Sequence, residues 1–350
     1  MLPAILLLAG ACLAAPVQLA GNCQEQTINL NGPYSMPLTS PPNYSDCWYS
    51  SYSFIVPPGQ FAYAHIVVYN MSIDDRVMVT DANNQKISIQ IGSSEEPVWN
   101  ITAAWPQSFI FRVEPGRNTQ MKYQIDITIQ KNMLGQNVKS STTVDTDGPS
   151  ALFYAEDLLE GQTYNIISAH NLVDLKRAVG SWTNYFALNN VFIYDSGTLI
   201  GTLYSDGDDF TVPSITKVLQ LYVAKSIAEI TKGAVLATDS SNLANLYYHD
   251  VEYVPIGRED HTLESLLLGD DTRAGAMTII GDKQGSTFDL RQLAPLDDNT
   301  APFSYDTDGP IKSNSSWINI NPKRLPKQFH GNLNTFYVGS GRALITITLV

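Results

Sequence analysis

The chain has 350 residues, with 34 acidic against 21 basic side chains and a formal net charge of −13, and its length predicts two or three domains. Hydrophobic residues make up 44% and charged residues 16%, which excludes intrinsic disorder, because a disordered chain combines low hydrophobicity with high charge. The acidic balance excludes a nucleic-acid partner, because too few basic side chains remain to neutralise a phosphate backbone.

The N-terminus predicts secretion. Residues 4–15 form an apolar run that ends in small residues and is followed by Pro16. The run is too short to span a bilayer but has the length of a signal-peptide core, so residues 1–15 are interpreted as a signal peptide cleaved between residues 14 and 21. A buried helix is the alternative interpretation. No later stretch approaches 18 apolar residues, so the sequence predicts an extracellular protein without a transmembrane segment.

The cysteines and the glycosylation motifs agree with secretion. Cys12 leaves with the signal peptide, and Cys23 and Cys47 then form an even pair in an oxidising compartment, which predicts a disulfide. Two free thiols or a two-cysteine metal site would be unusual there. The Asn-X-Ser/Thr motif predicts N-linked glycans at four positions: Asn43, Asn70, Asn100 and Asn314.

The first part of the chain is predicted to be a β-sandwich. In residues 122–129, Tyr123, Ile125 and the following isoleucines alternate with polar residues, which is typical of a half-buried strand. Similar alternations occur at residues 62–69, 76–80, 87–91 and 109–113, and Gly-, Pro- and Asn-rich turns separate them. We therefore expect one β-sandwich domain over residues 22–131.

Further strands are expected after a linker. Residues 132–150 are polar and aperiodic, which predicts a linker. Short β-rich segments then recur from residue 163 to residue 350, which predicts a second β-rich sandwich region over 151–350, either as one domain or split near residue 240. The one helix candidate is His261–Leu268. The sequence Asp-Thr-Asp-Gly-Pro occurs at 145–149 and 306–310, and a turn is favoured over a calcium loop because no bidentate Glu follows.

Residues 23–129 resemble a CUB domain, more narrowly the CUB-like domain of secreted nematode proteins. The features that carry the resemblance follow in order: Cys23, the Thr39–Tyr44 segment, Cys47-Trp48, Val56-Pro-Pro-Gly59, the segment Asp75-Arg-Val-Met-Val-Thr-Asp81, Phe109-Ile-Phe111 and the closing strand. The resemblance implies an antiparallel, CUB-like β-sandwich of the jelly-roll type. The second disulfide of the family is missing here.

The resemblance also suggests a calcium site. Calcium-binding CUB domains use a Glu, then the Asp of the Asp-Tyr motif, then a later Asp. Asp75 matches the middle ligand and Asp81 closes the same segment, whereas only Glu114 stands near the last ligand and the first is missing. Ordinary strand-end carboxylates are the favoured interpretation, so no cofactor is expected and calcium is the one metal that these residues suggest.

No catalytic motif occurs in the sequence. The five histidines are scattered, and neither a Gly-X-Ser-X-Gly elbow nor a phosphate-binding Gly-rich loop is present. Trp48, Tyr49 and Tyr52 beside Cys47 are interpreted as packing residues in preference to a sugar platform. The sequence predicts a secreted, non-enzymatic binding protein that recognises a glycan, a protein or a microbial surface. The resemblance implies expression in the gut lumen and a part in innate immune or stress responses. The alternative is a secreted hydrolase with active carboxylates in the C-terminal region.

Overall fold

The computed structural model describes residues 23–42, 47–82, 84, 86–90, 98–179, 185–204, 210–227, 232–254, 262–298, 300, 302–307, 309–310 and 317–350. The expected signal peptide, Asn43, Asn314 and His261 lie outside these ranges. Nearly all regular structure is β. One α-helix, α1, spans Ser240–Leu243, and 3₁₀ turns span Ala155–Asp157, Tyr185–Asn190 and Pro322–Arg324. In the described ranges, no helix has the length and apolarity needed to cross a membrane.

Within the described ranges the strands fall into three groups of nine along the chain, which we call units 1, 2 and 3. Unit 1 contains β1 Gln24–Asn29, β2 Tyr34–Thr39, β3 Ser50–Ile55, β4 Gln60–Tyr69, β5 Arg76–Asp81, β6 Lys86–Gln90, β7 Val98–Trp105, β8 Phe109–Glu114 and β9 Lys122–Lys131. Unit 2 contains β10 Val138–Val144, β11 Ala151–Tyr154, β12 Thr163–Ser168, β13 Val173–Val179, β14 Val191–Asp195, β15 Thr198–Thr202, β16 Thr211–Pro213, β17 Val218–Val223 and β18 Gly233–Asp239. Unit 3 contains β19 Leu246–Val254, β20 Thr262–Leu268, β21 Ala274–Gly281, β22 Ser286–Pro295, β23 Phe303–Asp306, β24 Ile318–Ile320, β25 Lys327–Gly331, β26 Leu333–Val338 and β27 Arg342–Leu349.

All three units have the same strand order. Unit 1 has a five-stranded sheet A, β1-β3-β8-β5-β6, and a four-stranded sheet B, β2-β9-β4-β7. Sheet C is β10-β12-β17-β14-β15 and sheet D is β11-β18-β13-β16; sheet E is β19-β21-β26-β23-β24 and sheet F is β20-β27-β22-β25. Adding nine to each strand number of unit 1 gives the strand order of unit 2, and adding eighteen gives that of unit 3. In every unit the first and third strands pair in parallel.

The predicted jelly roll is therefore wrong. A jelly roll has eight antiparallel strands in two Greek keys. Here each unit contains a parallel pair, and the same strand order occurs three times along the chain. Alternation of apolar residues locates strands but does not reveal their partners, because every strand of a half-buried sheet shows the same period of two.

One boundary and one element also differ from the sequence-based expectation. Strand β10 lies within the predicted linker at residues 132–150; it is a polar edge strand, Val-Lys-Ser-Ser-Thr-Thr-Val, and so shows no apolar alternation. The division expected near residue 240 falls at α1, between β18 and β19. The helix candidate His261–Leu268 is strand β20, Thr262–Leu268, because β27 pairs with it along its whole length and overrides its local helical preference.

The six sheets stack in chain order. Within each unit the two sheets pack face to face, as the ring contacts Tyr34–Phe54, Phe153–Tyr164 and Phe288–Phe336 show. Between units, Phe61 of sheet B packs edge-on against Phe192 of sheet C at 5.5 Å between centroids. A second apolar cluster joins sheet D to sheet E, with Tyr154, Leu236, Val251 and Tyr253 among its members. The outer faces of sheets A and F are thus the two ends of the stack.

Candidate functional site

The disulfide fixes the chain beside an exposed tryptophan. Cys23 and Cys47 are bonded, with their Cα atoms 4.9 Å apart, so the predicted pairing is confirmed. The next residue, Trp48, is 53% exposed, whereas Tyr49 and Tyr52 are buried. The packing interpretation therefore holds for the two tyrosines and not for Trp48. Because the disulfide holds Cys47, the backbone at the next residue, Trp48, is fixed just before strand β3 of sheet A.

An arginine from a neighbouring strand holds the Trp48 ring. The Arg112 guanidinium of β8 lies over Trp48, with its Cζ 4.7 Å from the ring centroid, and 4.3 Å from the centroid of Tyr49. The two rings meet edge-on at 4.8 Å. Arg112 also forms an ion pair of 2.9 Å with Glu114. A cation over an aromatic face contributes about 0.5–1 kcal/mol at an exposed site, so these contacts restrict the ring while more than half of it stays exposed.

Tyr49 is fixed from the other side. Its hydroxyl donates a hydrogen bond to the Glu25 carboxylate on β1. This hydrogen bond, followed by burial, raises the pKa of Tyr49, so the phenol stays protonated at physiological pH. We call the set Glu25, Trp48, Tyr49, Arg112 and Glu114 the aromatic-arginine cluster.

The surface of sheet A beside the cluster carries serine side chains together with methionine and isoleucine. One row of register partners crosses sheet A: Glu25 on β1 lies beside Ser51 on β3, and Ser51 lies beside Arg112 on β8. Met78 on β5 is the partner of Arg112 on its other side. In the next row across the sheet, Ser53 and Ile110 are partners. Ser51 and Ser53 thus share the outer face of sheet A with Arg112 and with Ile110, which is 41% exposed.

The structure does not gather the three residues that the sequence suggested for calcium. Asp75 is fully buried, and its two carboxylate oxygens accept the backbone N–H groups of Ser72 and Gly116, each at 2.6 Å. Glu114 pairs with Arg76 at the same end of β5, but Asp81 is at the opposite end of that strand, beside Phe109. Among the described residues no group of three or more candidate metal ligands occurs. Asp75 therefore acts here as an acceptor that fixes two turns.

A close approach explains why position 116 is a glycine. A Cβ on Gly116 would lie 2.6 Å from the Cβ of Asp74, closer than side-chain carbons approach. The Pro-Gly turn after β8 thus brings the Gly116 N–H within reach of the Asp75 carboxylate. The sequence predicted a turn at this position but not its contact with Asp75.

Two of the four predicted glycosylation sites can be located. Asn70, in the turn after β4, and Asn100, on the edge strand β7, are both exposed. Asn70 has a positive φ of 52°, a conformation that asparagine tolerates better than most residues. Asn43 and Asn314 lie outside the described residues.

The repeated Asp-Thr-Asp-Gly-Pro sequence is a turn at its first copy. The Gly148 N–H donates to the Asp145 carbonyl at 3.1 Å, and the Asp145 carboxylate accepts the Thr146 N–H at 2.7 Å. Within this turn Asp147 has a positive φ of 55°. The side chain of Asn242 in α1 accepts the Asp147 N–H, so α1 fastens this turn.

Carboxylates in the C-terminal region are held by neighbours. Asp270 accepts the Thr272 and Arg273 N–H groups, which lower its pKa to about 2, and Asp297 forms an ion pair with Arg342. One cavity between units 2 and 3, lined by Glu156, Asp282 and others, has a volume of about 50 Å³. That volume is well below the roughly 300 Å³ of a small-molecule pocket.

Arg112 and Glu25 were not among the residues singled out in the sequence. The alternation Phe109-Ile-Phe-Arg-Val-Glu114 places Arg112 on the solvent side of β8, and this much was readable. Its contact with Trp48 was not, because that contact requires the register between β3 and β8.

Comparison with known proteins places the chain in no family. No family model matches it, and no curated protein matches it. Among solved structures, the CUB1-EGF-CUB2 domains of rat MASP-1 align with a TM-score of 0.21 and 8% identity, over 61% of this chain and 100% of that chain. The human MASP-1/3 CUB1-EGF-CUB2 domain gives 0.22 and 8%, over 60% and 100%. A chain of the Sulfolobus Turreted Icosahedral Virus gives 0.20 and 10%, over 85% and 81%. Scores this low assign no fold.

The class of protein thus follows from the chain itself. It is an all-β protein built from three like two-sheet units, with an exposed aromatic-arginine cluster at the end formed by sheet A.

Proposed function

We propose that this chain is a secreted, non-enzymatic recognition protein that binds a carbohydrate on the outer face of sheet A. The observation that carries the proposal is Trp48, which is 53% exposed yet held by Arg112 and by the adjacent disulfide. A ring that is already ordered loses little conformational entropy when a ligand stacks on it.

The chemistry of the cluster supports this ligand class. The C–H groups of a sugar ring carry partial positive charge and stack on the negative face of an indole. Carboxylate and guanidinium groups at its edge, here Glu25, Glu114 and Arg112, form charge-assisted hydrogen bonds with hydroxyl groups. Sugar recognition of this kind fits the role in innate immune or stress responses that the CUB-like resemblance implies.

We also propose that all three units are variants of the CUB-like sandwich, in which the first and third strands pair in parallel. The order of motifs from Cys23 to the strand β9 supports the assignment for unit 1. Units 2 and 3 share the strand order of unit 1, and this identity of order extends the assignment to them. Only the cluster in unit 1 would then serve binding, because sheets C and E, the counterparts of sheet A, are covered by the preceding unit.

Trp48→Ala tests the proposal on a glycan array followed by calorimetry with the best-bound sugar. Tyr247→Ala is the matched control, because Tyr247 is also 53% exposed and has the Arg273 guanidinium 5.0 Å from its ring centroid. Loss of one stacked ring should weaken Kd at least tenfold, about 1.4 kcal/mol, in Trp48→Ala and leave Tyr247→Ala unchanged. Unchanged binding in Trp48→Ala, or no binding of the wild type to any glycan, would contradict the proposal.

A further inference from the structure

A histidine is enclosed where units 2 and 3 meet. His249, on β19, is 5% exposed and faces sheet D. Its Nε2 lies 2.7 Å from the Thr278 hydroxyl oxygen, which in turn lies 2.8 Å from that of Thr335. Its Nδ1 has no hydrogen-bond partner in the described part of the chain. A neutral imidazole fits this environment better than an imidazolium, because only the neutral ring can leave one of its nitrogens without a proton.

The nearest charge on the opposing sheet is positive. Lys176 of β13 donates a hydrogen bond to the backbone carbonyl of His249 itself. Burial, followed by the Lys176 ammonium, lowers the pKa of His249 well below its usual value. The imidazolium would thus be buried beside an ammonium, with one of its two N–H groups unpaired.

Other ionisable groups also lie at the contact between units 2 and 3, where Lys283 pairs with Glu156 at 3.6 Å and with Asp157 at 2.5 Å. Asp174, two residues before Lys176 on β13, has a raised pKa because it is buried, and Lys176 partly offsets that shift. Tyr337 of β26 and Asp306 of β23 lie two and three strands from β19 across sheet E. On β19 itself, the Asp250 carboxylate accepts the Val251 N–H.

We propose that the contact between sheets D and E is an acid-sensitive joint, which opens when His249 takes up a proton. When the joint opens, the imidazole gains water as a partner for both N–H groups and moves away from Lys176. In the open state its pKa returns to about 6.5. The open state therefore binds the proton more tightly, and acid favours opening.

The direction and the size of the effect of pH on opening follow from proton linkage. Above about pH 7 both states are neutral at His249 and the opening constant is independent of pH. Below about pH 6.5 it rises roughly tenfold per pH unit, until the closed state also titrates. Asp174 acts in the opposite direction, because its raised pKa lets the closed state bind a proton first. A His249 variant therefore separates the two contributions.

The experiment is hydroxyl-radical footprinting of the full chain between pH 7.5 and 4.5. Tyr154 and Tyr253, both at the joint and both buried, report opening through their labelling. Hydrogen exchange of the β21 amides reports unfolding of unit 3. The wild type should show a rise in labelling of both tyrosines in acid while β21 stays protected.

His249→Gln, which carries no charge at any pH, should lose this rise. His65→Gln is the matched control, since His65 is exposed on β4, and it should behave as the wild type. If His249→Gln does not fold, Lys176→Met takes its place: without the ammonium, the closed state titrates at higher pH and the rise is smaller. Flat labelling of the wild type, an undiminished rise in these variants, or loss of β21 protection in step with labelling would overturn the proposal.

Discussion

At the scale of single residues, Asp75 shows how one side chain can fix a loop. Its carboxylate is fully buried and holds the Ser72 and Gly116 N–H groups, joining the turn before β5 to the turn after β8. The sequence drew attention to this aspartate through its resemblance to a calcium ligand. The structure shows backbone donors where a metal would be expected.

Asp75→Ala should lower the free energy of unfolding by about 3 kcal/mol, because two buried N–H groups lose a charged acceptor. Asp74→Ala is the control, since Asp74 is exposed, and it should change stability by less than about 0.5 kcal/mol. Chemical denaturation measures both. A dependence of the wild-type unfolding midpoint on a chelator would instead favour the calcium interpretation.

Both exposed sequons should carry glycans when the protein is secreted from a eukaryotic cell. Ser72→Ala and Thr102→Ala each remove one acceptor motif but keep the asparagine, including the positive φ of Asn70. Each variant should lose the mass of one glycan on intact-mass spectrometry. An unchanged mass in both would show that neither site is used.

At the scale of elements, side chains cover the free edge of sheet B. Asn190, at the end of the 3₁₀ turn before β14, accepts the Ala104 N–H at 2.8 Å, and the side-chain amide of Asn189 donates to the Ala104 carbonyl at 2.8 Å. Two asparagines thus replace the missing neighbouring strand on β7. An uncovered edge would present unpaired backbone groups to other chains.

Asn190→Ala should destabilise the protein by about 1–3 kcal/mol, because it leaves the Ala104 N–H buried without an acceptor. Asn118→Ala, at an exposed loop position, is the control and should have no measurable effect. Urea denaturation followed by Trp fluorescence makes the comparison. Equal midpoints for the two variants would show that the edge contact adds no stability.

The disulfide links β1 to the start of β3. The chain-entropy model gives about 3 kcal/mol for a loop of this size, which has a sequence separation of 24 residues. Replacing both cysteines by serine should lower the stability of unit 1 by that amount and should weaken carbohydrate binding, because Trp48 loses its fixed neighbour. Unchanged affinity in the double variant would show that the ring is positioned without the disulfide.

At the scale of the whole molecule, the units depend on one another through their outer faces. Phe61 is 1% exposed and contacts both Phe192 and Tyr222 across the contact of units 1 and 2. Each later unit places its five-stranded sheet against the four-stranded sheet of the unit before it. The exposed end of sheet A is therefore the free copy of a face that is buried elsewhere in the chain.

Phe61→Ala should cost about 3–5 kcal/mol and separate the unfolding of unit 1 from that of unit 2. Hydrogen exchange resolved by unit measures this, with loss of protection expected on sheets B and C. Phe288→Ala is the control, since Phe288 is buried within unit 3 and should affect sheets E and F alone. Equal loss of protection in all three units for both variants would contradict separate unfolding.

The sequence by itself determined the β class, most strand positions and the pairing of the two cysteines. Each of these depends on local information: alternation along a strand, turn residues, or the count of cysteines. Tyr123–Ile129 and Val218–Val223 were predictable in this way because one or both of their faces are buried apolar surface.

The tertiary structure decided every feature that depends on pairing or packing between strands distant in sequence. Strand β10 is polar and was missed because its place is set by pairing with β12, and the helix candidate became β20 because β27 supplied its hydrogen bonds. The threefold repeat of strand order was not predicted, because strand order depends on pairing between strands that are distant in the chain. Arg112 meets Trp48, and Lys176 meets His249, only through packing between strands distant in sequence, where long-range register and not local pattern fixes the distance.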